Sequence, residues 1–265
     1  MSQNTQIIIL AGGKGKRMNQ EIPKALVLFH GKPMIDYAVD AVKKSGVCDV
    51  PVLVVGYQKE LIIEHVGSNA KYAVQEEQLG TGHAVLITEN SIDEDVENVL
   101  VLYGDAPAVT GAMIANLNQT HIESGAMLTM ATVTVPTFDD WYQVFFKPFS
   151  RVIRGSDGKI VRSVEFKDAT EEEKEIKELN PCYFCFNKKW LFENLKNVGN
   201  SNTQGEYYLT DLVQLAANTG DIASVAISPE ESLGVNSMEE LERLEKIVKK
   251  SSRKRDYFFT LLIFM

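Results

Sequence analysis

The chain has 265 residues, with 27 Lys and Arg against 36 Asp and Glu, a formal net charge of −9. That length holds one large α/β domain or two small ones. The acidic balance, with no long basic stripe before the last fifteen residues, argues against nucleic acid as the main partner. Three cysteines, an odd and sparse count, suit a reducing cytoplasm better than a disulfide framework. Met1 to Gln6 lacks the make-up of a signal peptide, and no segment approaches the ~20 apolar residues of a membrane helix.

The first element is Ile7-Ile8-Ile9-Leu10, a continuous apolar run of the kind a parallel strand shows when both its faces are covered. It passes directly into Ala11-Gly12-Gly13-Lys14-Gly15-Lys16-Arg17-Met18. Glycines after a strand let main-chain N–H groups approach a phosphate, and three cations follow. The spacing is not that of a nucleotide-hydrolase P-loop, because Gly15-Lys16 is followed by Arg17 and Leu10 stands where the first glycine should be. Nor is it a dinucleotide fingerprint, which needs a small residue at Met18. Two readings remain: a loop for a nucleoside triphosphate, with Lys24 as a further cation, or a glycine-rich turn with solvated lysines.

Downstream, Pro33 is placed to open a helix to about Lys44 with Ile35, Ala38, Val39 and Val42 on one face. Pro51 to Val55 is a strand, Lys59 to His65 a helix and Lys71 to Gln75 a strand. This alternation predicts a parallel sheet. His65 has no ligand partner nearby and reads as structural. Gln75-Glu76-Glu77-Gln78-Leu79-Gly80-Thr81-Gly82-His83-Ala84 offers two amides for a pyrimidine edge and two glycines for close approach; the alternative is a pair of solvated glutamines before a helix cap. His83 reads as a structural hydrogen-bonder.

Asn98 to Tyr103 is the clearest buried strand, and Asp105 follows it at the carboxyl end, where open α/β sheets bind ligands. Asp105 is a candidate Mg²⁺ ligand or an Asp that caps a turn before Pro107. A helix from Thr110 to Ser124 and a strand from Ala126 to Val135 come next. Pro136 to Ser150, crowded with Trp141, Tyr142, Phe145, Phe146 and Phe149, shows no period and reads as a packed flap or a hydrophobic insert. Arg151 to Phe166 reads as a hairpin with an Asp-Gly turn, and Thr170 to Glu173 as a capping box. A strand from Leu179 to Phe186 is expected to bury both Cys182 and Cys185, since no second pair completes a zinc site. Helices to Leu195 and from Asp211, a strand from Ile222 to Ile227, and a second capping box, Ser237 to Glu240, complete the pattern. The last helix buries Leu241, Leu244, Ile247 and Val248. Asn236 offers either a metal ligand or a residue before a helix cap. Residues 1–250 read as one domain, and 251–265, basic then apolar, as a disordered tail.

Leu10 to Met18, Pro23-Lys24, Gln75 to Ala84, Tyr103-Gly104-Asp105, Glu165 to Ala169, Glu206 to Asp211 and Gly234-Val235-Asn236 stand in the order of the sugar-1-phosphate nucleotidylyltransferases. The resemblance covers about residues 6–248 and is nearest to the uridylyltransferase domain of the bacterial N-acetylglucosamine-1-phosphate enzymes. It implies a Rossmann-like open, mostly parallel but mixed sheet, helices on both faces, and an antiparallel sugar-binding hairpin. It implies Mg²⁺-assisted attack of a sugar-1-phosphate oxygen on the α-phosphorus of UTP with release of pyrophosphate. The attacking phosphate is already ionised, so alignment and charge neutralisation should suffice.

By resemblance, Arg17, Lys24 and Asp105 are catalytic, and Leu10, Ala11, Gly12, Gly13, Gly15, Gln75, Gln78, Gly80 and Thr81 hold UTP. Thr81, Tyr103, Ser150, Glu165 and Asn180 hold the sugar, and Asp105 and Asn236 hold Mg²⁺. The implied partners are UTP and a hexosamine 1-phosphate, with neither nucleic acid nor membrane; a homo-oligomer stays open. Relatives continue into an acetyltransferase β-helix, and this chain stops where that part would begin, so no acetyltransfer is expected of it. Three departures stand out: Phe149-Ser150-Arg151 for Tyr-Gly-Arg, Asn180-Pro181-Cys182 for Asn-Thr-Gly, and Gly12 for a frequent Ala. They leave sugar identity open, as they do transfer to another hexose 1-phosphate from UTP or dTTP. The remaining rival is a catalytically silent sugar-nucleotide sensor.

Overall fold

In a computed structural model, residues 4–18, 20–220 and 222–248 are described. The strands are β1 Thr5–Leu10, β2 Leu28–Phe29, β3 Lys32–Pro33, β4 Val52–Val55, β5 Lys71–Val74, β6 Asn98–Tyr103, β7 Leu128–Thr134, β8 Ser150–Arg154, β9 Ile160–Val164, β10 Glu178–Asn180, β11 Phe184–Asn187 and β12 Ile222–Ala226. The helices are α1 Met34–Ser45, α2 Lys59–Val66, α3 Thr81–Leu86, α4 Gly111–Ser124, α5 Asp140–Phe146, α6 Glu171–Lys174, α7 Lys188–Leu195, α8 Asp211–Thr219 and, over residues 238–248, α9.

One sheet runs in the order β5-β4-β1-β6-β11-β7-β10-β8-β9, with β12 added on β7. The pairs among β5, β4, β1 and β6 are parallel, whereas those linking β6 to β11, β7, β10, β8 and β9 are antiparallel. The sheet is therefore open and mixed, parallel in its first half and antiparallel in its second apart from β12, which pairs with β7 in parallel. Strand alternation divides the core. Ile7 and Ile9 face α1 and α4 through Ile35, Ala38, Val42, Ile114 and Leu117, while Ile8 faces α3, α7 and α8 through Val85, Leu191, Leu195, Leu212 and Val213. Each of these isoleucines has no exposed surface, a burial worth about 1.5–3 kcal/mol apiece.

Helix ends follow their sequence signals. Thr110 accepts from Met113 N to start α4, and Gly46 and Gly125 take left-handed backbone to end α1 and α4. The Thr170–Glu173 capping box forms in full. The second box forms by half: Glu240 N donates to Ser237 Oγ, but the Glu240 carboxylate accepts from Asn236 N, one residue upstream. Pro33 lies just before α1, as its cap.

Two expectations are corrected. The stretch 136–150 contains α5, and Trp141, Tyr142, Phe145, Phe146 and Phe149 form one aromatic cluster packed with Leu241 and Leu244 of α9; Phe146 and Phe149 meet edge to face at 5.3 Å. The expected strand from Leu179 to Phe186 is broken. Its register against β7 slips by two residues between β10 and β11, and Cys182, in the extra length, adopts φ 64°. Cys185 is buried as expected, whereas Cys182 is only half-buried, and both are free thiols. The tail 251–265 lies outside the described residues. Among the described residues, no helix is long and apolar enough to cross a membrane.

Candidate active site

The loops after β1, β4, β5 and β6 leave the same edge of the sheet, and backbone hydrogen bonds join them. Ala11 N donates to Val54 O (2.8 Å), Gln75 N to Val55 O (2.8 Å), Tyr57 N to Gly12 O (3.3 Å) and Gly104 N to Leu10 O (3.0 Å). This is the carboxyl edge where parallel sheets receive ligands. A cavity of about 220 Å³ opens there, walled by Leu10, Ala11, Gly12, Gly13, Gln75, Gln78, Gly80, Thr81, Tyr103 and Asp105 among others. Gln78 Nε2 donates to Gly12 O at 2.7 Å. Gln75 is almost fully buried, and its amide nitrogen lies 3.1 Å from His83 Nδ1 and 3.3 Å from Gly80 O. His83 thus fixes which way the Gln75 amide faces, a structural task as expected. Gly80 has φ 111°, and a Cβ there would meet Tyr207 O at 2.6 Å, so no side chain fits between this loop and the segment before α8.

A second cavity of about 330 Å³ shares Thr81, Tyr103, Asp105 and Glu206 with the first. Its far wall is Phe149, Ser150, Glu165, Asn180, Cys182 and Thr210. Glu165 accepts from Thr210 Oγ1 at 2.9 Å and from the Ser150 hydroxyl. Burial raises its pKa, and those two hydrogen bonds oppose the rise. Asn180 is buried and both ends of its amide are taken: Nδ2 donates to Ser163 Oγ (3.0 Å) and Oδ1 accepts from Cys182 N (2.7 Å). It shapes the turn that carries Cys182 to the wall. Burial also pushes the Cys182 thiol and the Tyr103 phenol up, so both stay protonated at neutral pH. Of the six aromatics in the 136–150 segment, Phe149 reaches this cavity.

Where the cavities meet, Val235 N donates to Asp105 O at 2.9 Å, which brings Asn236 alongside Asp105 from the far end of the chain. Lys24 Nζ binds both side chains, the Asp105 carboxylate and, at 2.7 Å, Asn236 Oδ1. Two oxygens therefore converge on one cation. Among the described residues, no group of three or more His, Cys, Asp and Glu is placed to hold a metal. A carboxylate with one amide oxygen suits an ion that takes its remaining ligands from phosphate and water, as Mg²⁺ does.

Residues 7–210 match the family model described as the MobA-like NTP transferase domain. The chain belongs to that family. It is a nucleotidyltransferase domain, and among curated relatives it is 39% identical over 250 residues to "Bifunctional protein GlmU" of Heliobacterium modesticaldum, covering 94% of this chain and 53% of that protein. It is 41% identical over 246 residues to the same-named protein of Thermoanaerobacter pseudethanolicus, covering 92% and 51%. The chain thus spans about half the length of these relatives. A solved Bacillus anthracis protein, assigned as a glucose-1-phosphate thymidylyltransferase in complex with a sucrose, shares the fold with TM-score 0.71 at 19% identity, covering 92% of this chain and 94% of that one.

Within this family member, most residues nominated from the sequence line the two cavities; Arg17 and Gly15 do not. Arg17 stands exposed on the short turn Lys16–Met18. Gly15, with φ 62°, packs on Lys24, whose Cβ would lie 2.8 Å from any Cβ placed there. Sequence reasoning missed Cys182 and Arg151. The first had a signal, a non-glycine residue after Asn180-Pro181. Arg151 matches the arginine of the family's Tyr-Gly-Arg in Phe149-Ser150-Arg151, but nothing in the sequence marked it as buried, because an arginine in a hairpin reads as exposed.

Proposed function

We propose that this domain transfers UMP from UTP to N-acetylglucosamine 1-phosphate, giving UDP-N-acetylglucosamine and pyrophosphate, and that residues 1–250 act as one catalytic unit. The observation that carries this reading is the continuity of the two cavities across Asp105, with paired amides at one end and a buried carboxylate at the other. The amides suit a uracil edge and Glu165 suits sugar hydroxyl donors. Arg17 and Gly15, which line neither cavity, act on the phosphates by resemblance to the family. Asp105 and Asn236 would hold Mg²⁺, which supplies charge neutralisation at the phosphates when bound. Lys24 then meets phosphate oxygens, and the loop 11–15 orients the α-phosphorus for in-line attack by the sugar phosphate.

Pyrophosphate release with nucleoside triphosphates and a panel of sugar phosphates tests the reading. Activity requires both UTP and a hexosamine 1-phosphate, and CTP is a poor donor. Gln75→Ala should raise KM for UTP and erode the preference over CTP, because an unmatched buried amide group costs about 1–3 kcal/mol. Unchanged UTP affinity and preference would remove the uracil assignment. Absence of release with every pair would favour the sensor reading, and release with dTTP and glucose 1-phosphate the other transfer.

The sugar end has one reading of its own. Ser150 is buried and bonded to Glu165, and Cys182 brings a side chain to the wall at a backbone angle glycine takes freely. We infer a pocket narrower than in the relatives and more tolerant of unacetylated sugars. Ser150→Gly should shift relative kcat/KM toward the acetylated sugar by about tenfold, the scale of one small group in a pocket, while UTP parameters hold. Equal effects on all sugars would make the hairpin edge purely structural.

A further inference from the structure

We propose that the Lys24 ammonium is the resident cation of the metal site, and that the chain therefore takes up its divalent ion together with the triphosphate and not before it. The proposal rests on the reading that Asp105 and Asn236 hold Mg²⁺. Lys24 Nζ is bonded to both of the side chains that reading assigns to the metal, through Asp105 Oδ2 and Asn236 Oδ1. The pair is largely enclosed, with 12% of the Lys24 side chain and 24% of the Asp105 side chain exposed. An ammonium seated between these two side chains and a divalent ion brought to the same side chains repel each other at close range, so the two compete for the site.

For free Mg²⁺ the exchange is unfavourable. The ion gains two protein ligands, must keep water at its other positions, and strips the ammonium of its carboxylate. A triphosphate changes both sides of the balance. Its oxygens complete the coordination of the ion, and they give the displaced ammonium a new anionic partner. The lysine stem has four flexible methylenes, so Nζ can travel without movement of the backbone. The stem itself is held, because its Cβ and Cγ pack on Gly15, a residue that admits no side chain there. The loop glycine fixes the base of the lysine and leaves its head to switch between two anions. Lys24 is thus a phosphate cation with a second task, keeping the acidic site neutral and closed to free divalent ions until the nucleotide arrives.

The test is Mn²⁺ binding to the full chain without nucleotide, read by the loss of the free-ion electron paramagnetic resonance signal. The parent should bind weakly. Lys24→Met, which keeps the packed stem and removes the charge, should bind Mn²⁺ at least tenfold more tightly, and the gain should vanish in Lys24→Met combined with Asp105→Asn. Lys24→Gln gives the same comparison if the methionine variant does not fold. Mn²⁺ affinity equal to the parent in a folded Lys24 variant overturns the proposal. If that happens while Asp105→Asn still abolishes Mg²⁺-dependent turnover, the exchange is wrong and the metal ligands stand. If Asp105→Asn also leaves turnover intact, the metal reading falls with it.

Discussion

Asp105→Asn should leave a folded chain whose Mg²⁺-dependent pyrophosphate release is about a thousandfold or more below the parent. The amide keeps the volume and the backbone bond to Val235 but removes the carboxylate charge that Lys24 binds and that the proposed function assigns to Mg²⁺. A metal clamp on transferring phosphates supplies several kcal/mol, and about 4 kcal/mol is a thousandfold in rate. The substitution also strips Lys24 of its carboxylate, so two losses combine. A Mg²⁺ titration separates them: a lost ligand raises the concentration needed for half-maximal rate, whereas a misplaced ammonium lowers the rate at saturating metal. Near-parent turnover with a parent-like Mg²⁺ requirement would end the assignment.

Legibility in the sequence followed how local each determinant was. β1 and β6 were legible because strands covered on both faces carry unbroken apolar runs, and Ile7 to Ile9 and Val99 to Leu102 have almost no exposed surface. α5 was missed although Trp141 and Phe145, and Tyr142 and Phe146, stand four apart. The helix is seven residues long and its aromatics meet neighbours on several sides, so no polar stripe marks a face. The break between β10 and β11 carried a signal in Pro181, which cannot donate to a ladder.

At the site, the sequence offered Asp105 and Asn236 separately. Their meeting depends on a backbone bond between Asp105 and Val235, which no local pattern encodes. The glutamines were legible as amides, but the use of Gln78 to hold the glycine loop and of His83 to orient Gln75 is tertiary. The same limit applies to Arg151, whose surroundings come from three separate segments.

Arg151→Ala should lower stability by about 3–5 kcal/mol, a drop in Tm on the order of 10 °C for a chain of this size. Arg151 has no exposed surface, and its guanidinium is spent on carbonyls: Nε and Nη2 donate to Lys174 O at 3.1 and 2.9 Å, Nη2 to Lys147 O at 3.0 Å, and Nη1 to Phe149 O. The rings of Phe138 and Phe166 lie 4.8 and 5.1 Å from its central carbon. Burial lowers its pKa to about 10, still well above neutral, so the group remains a cation. Alanine would leave three carbonyl groups without that donor and a void the size of the side chain. Lysine keeps the charge but lacks the planar fork, so Arg151→Lys should recover only part of the loss. Because Arg151 tethers Phe149 and lies next to Ser150, loosening it should raise KM for the sugar phosphate more than KM for UTP in the protein that still folds. Had Arg151 met the substrate directly, alanine would cut turnover and leave Tm in place. That outcome would move Arg151 from the scaffold behind the pocket into the pocket itself.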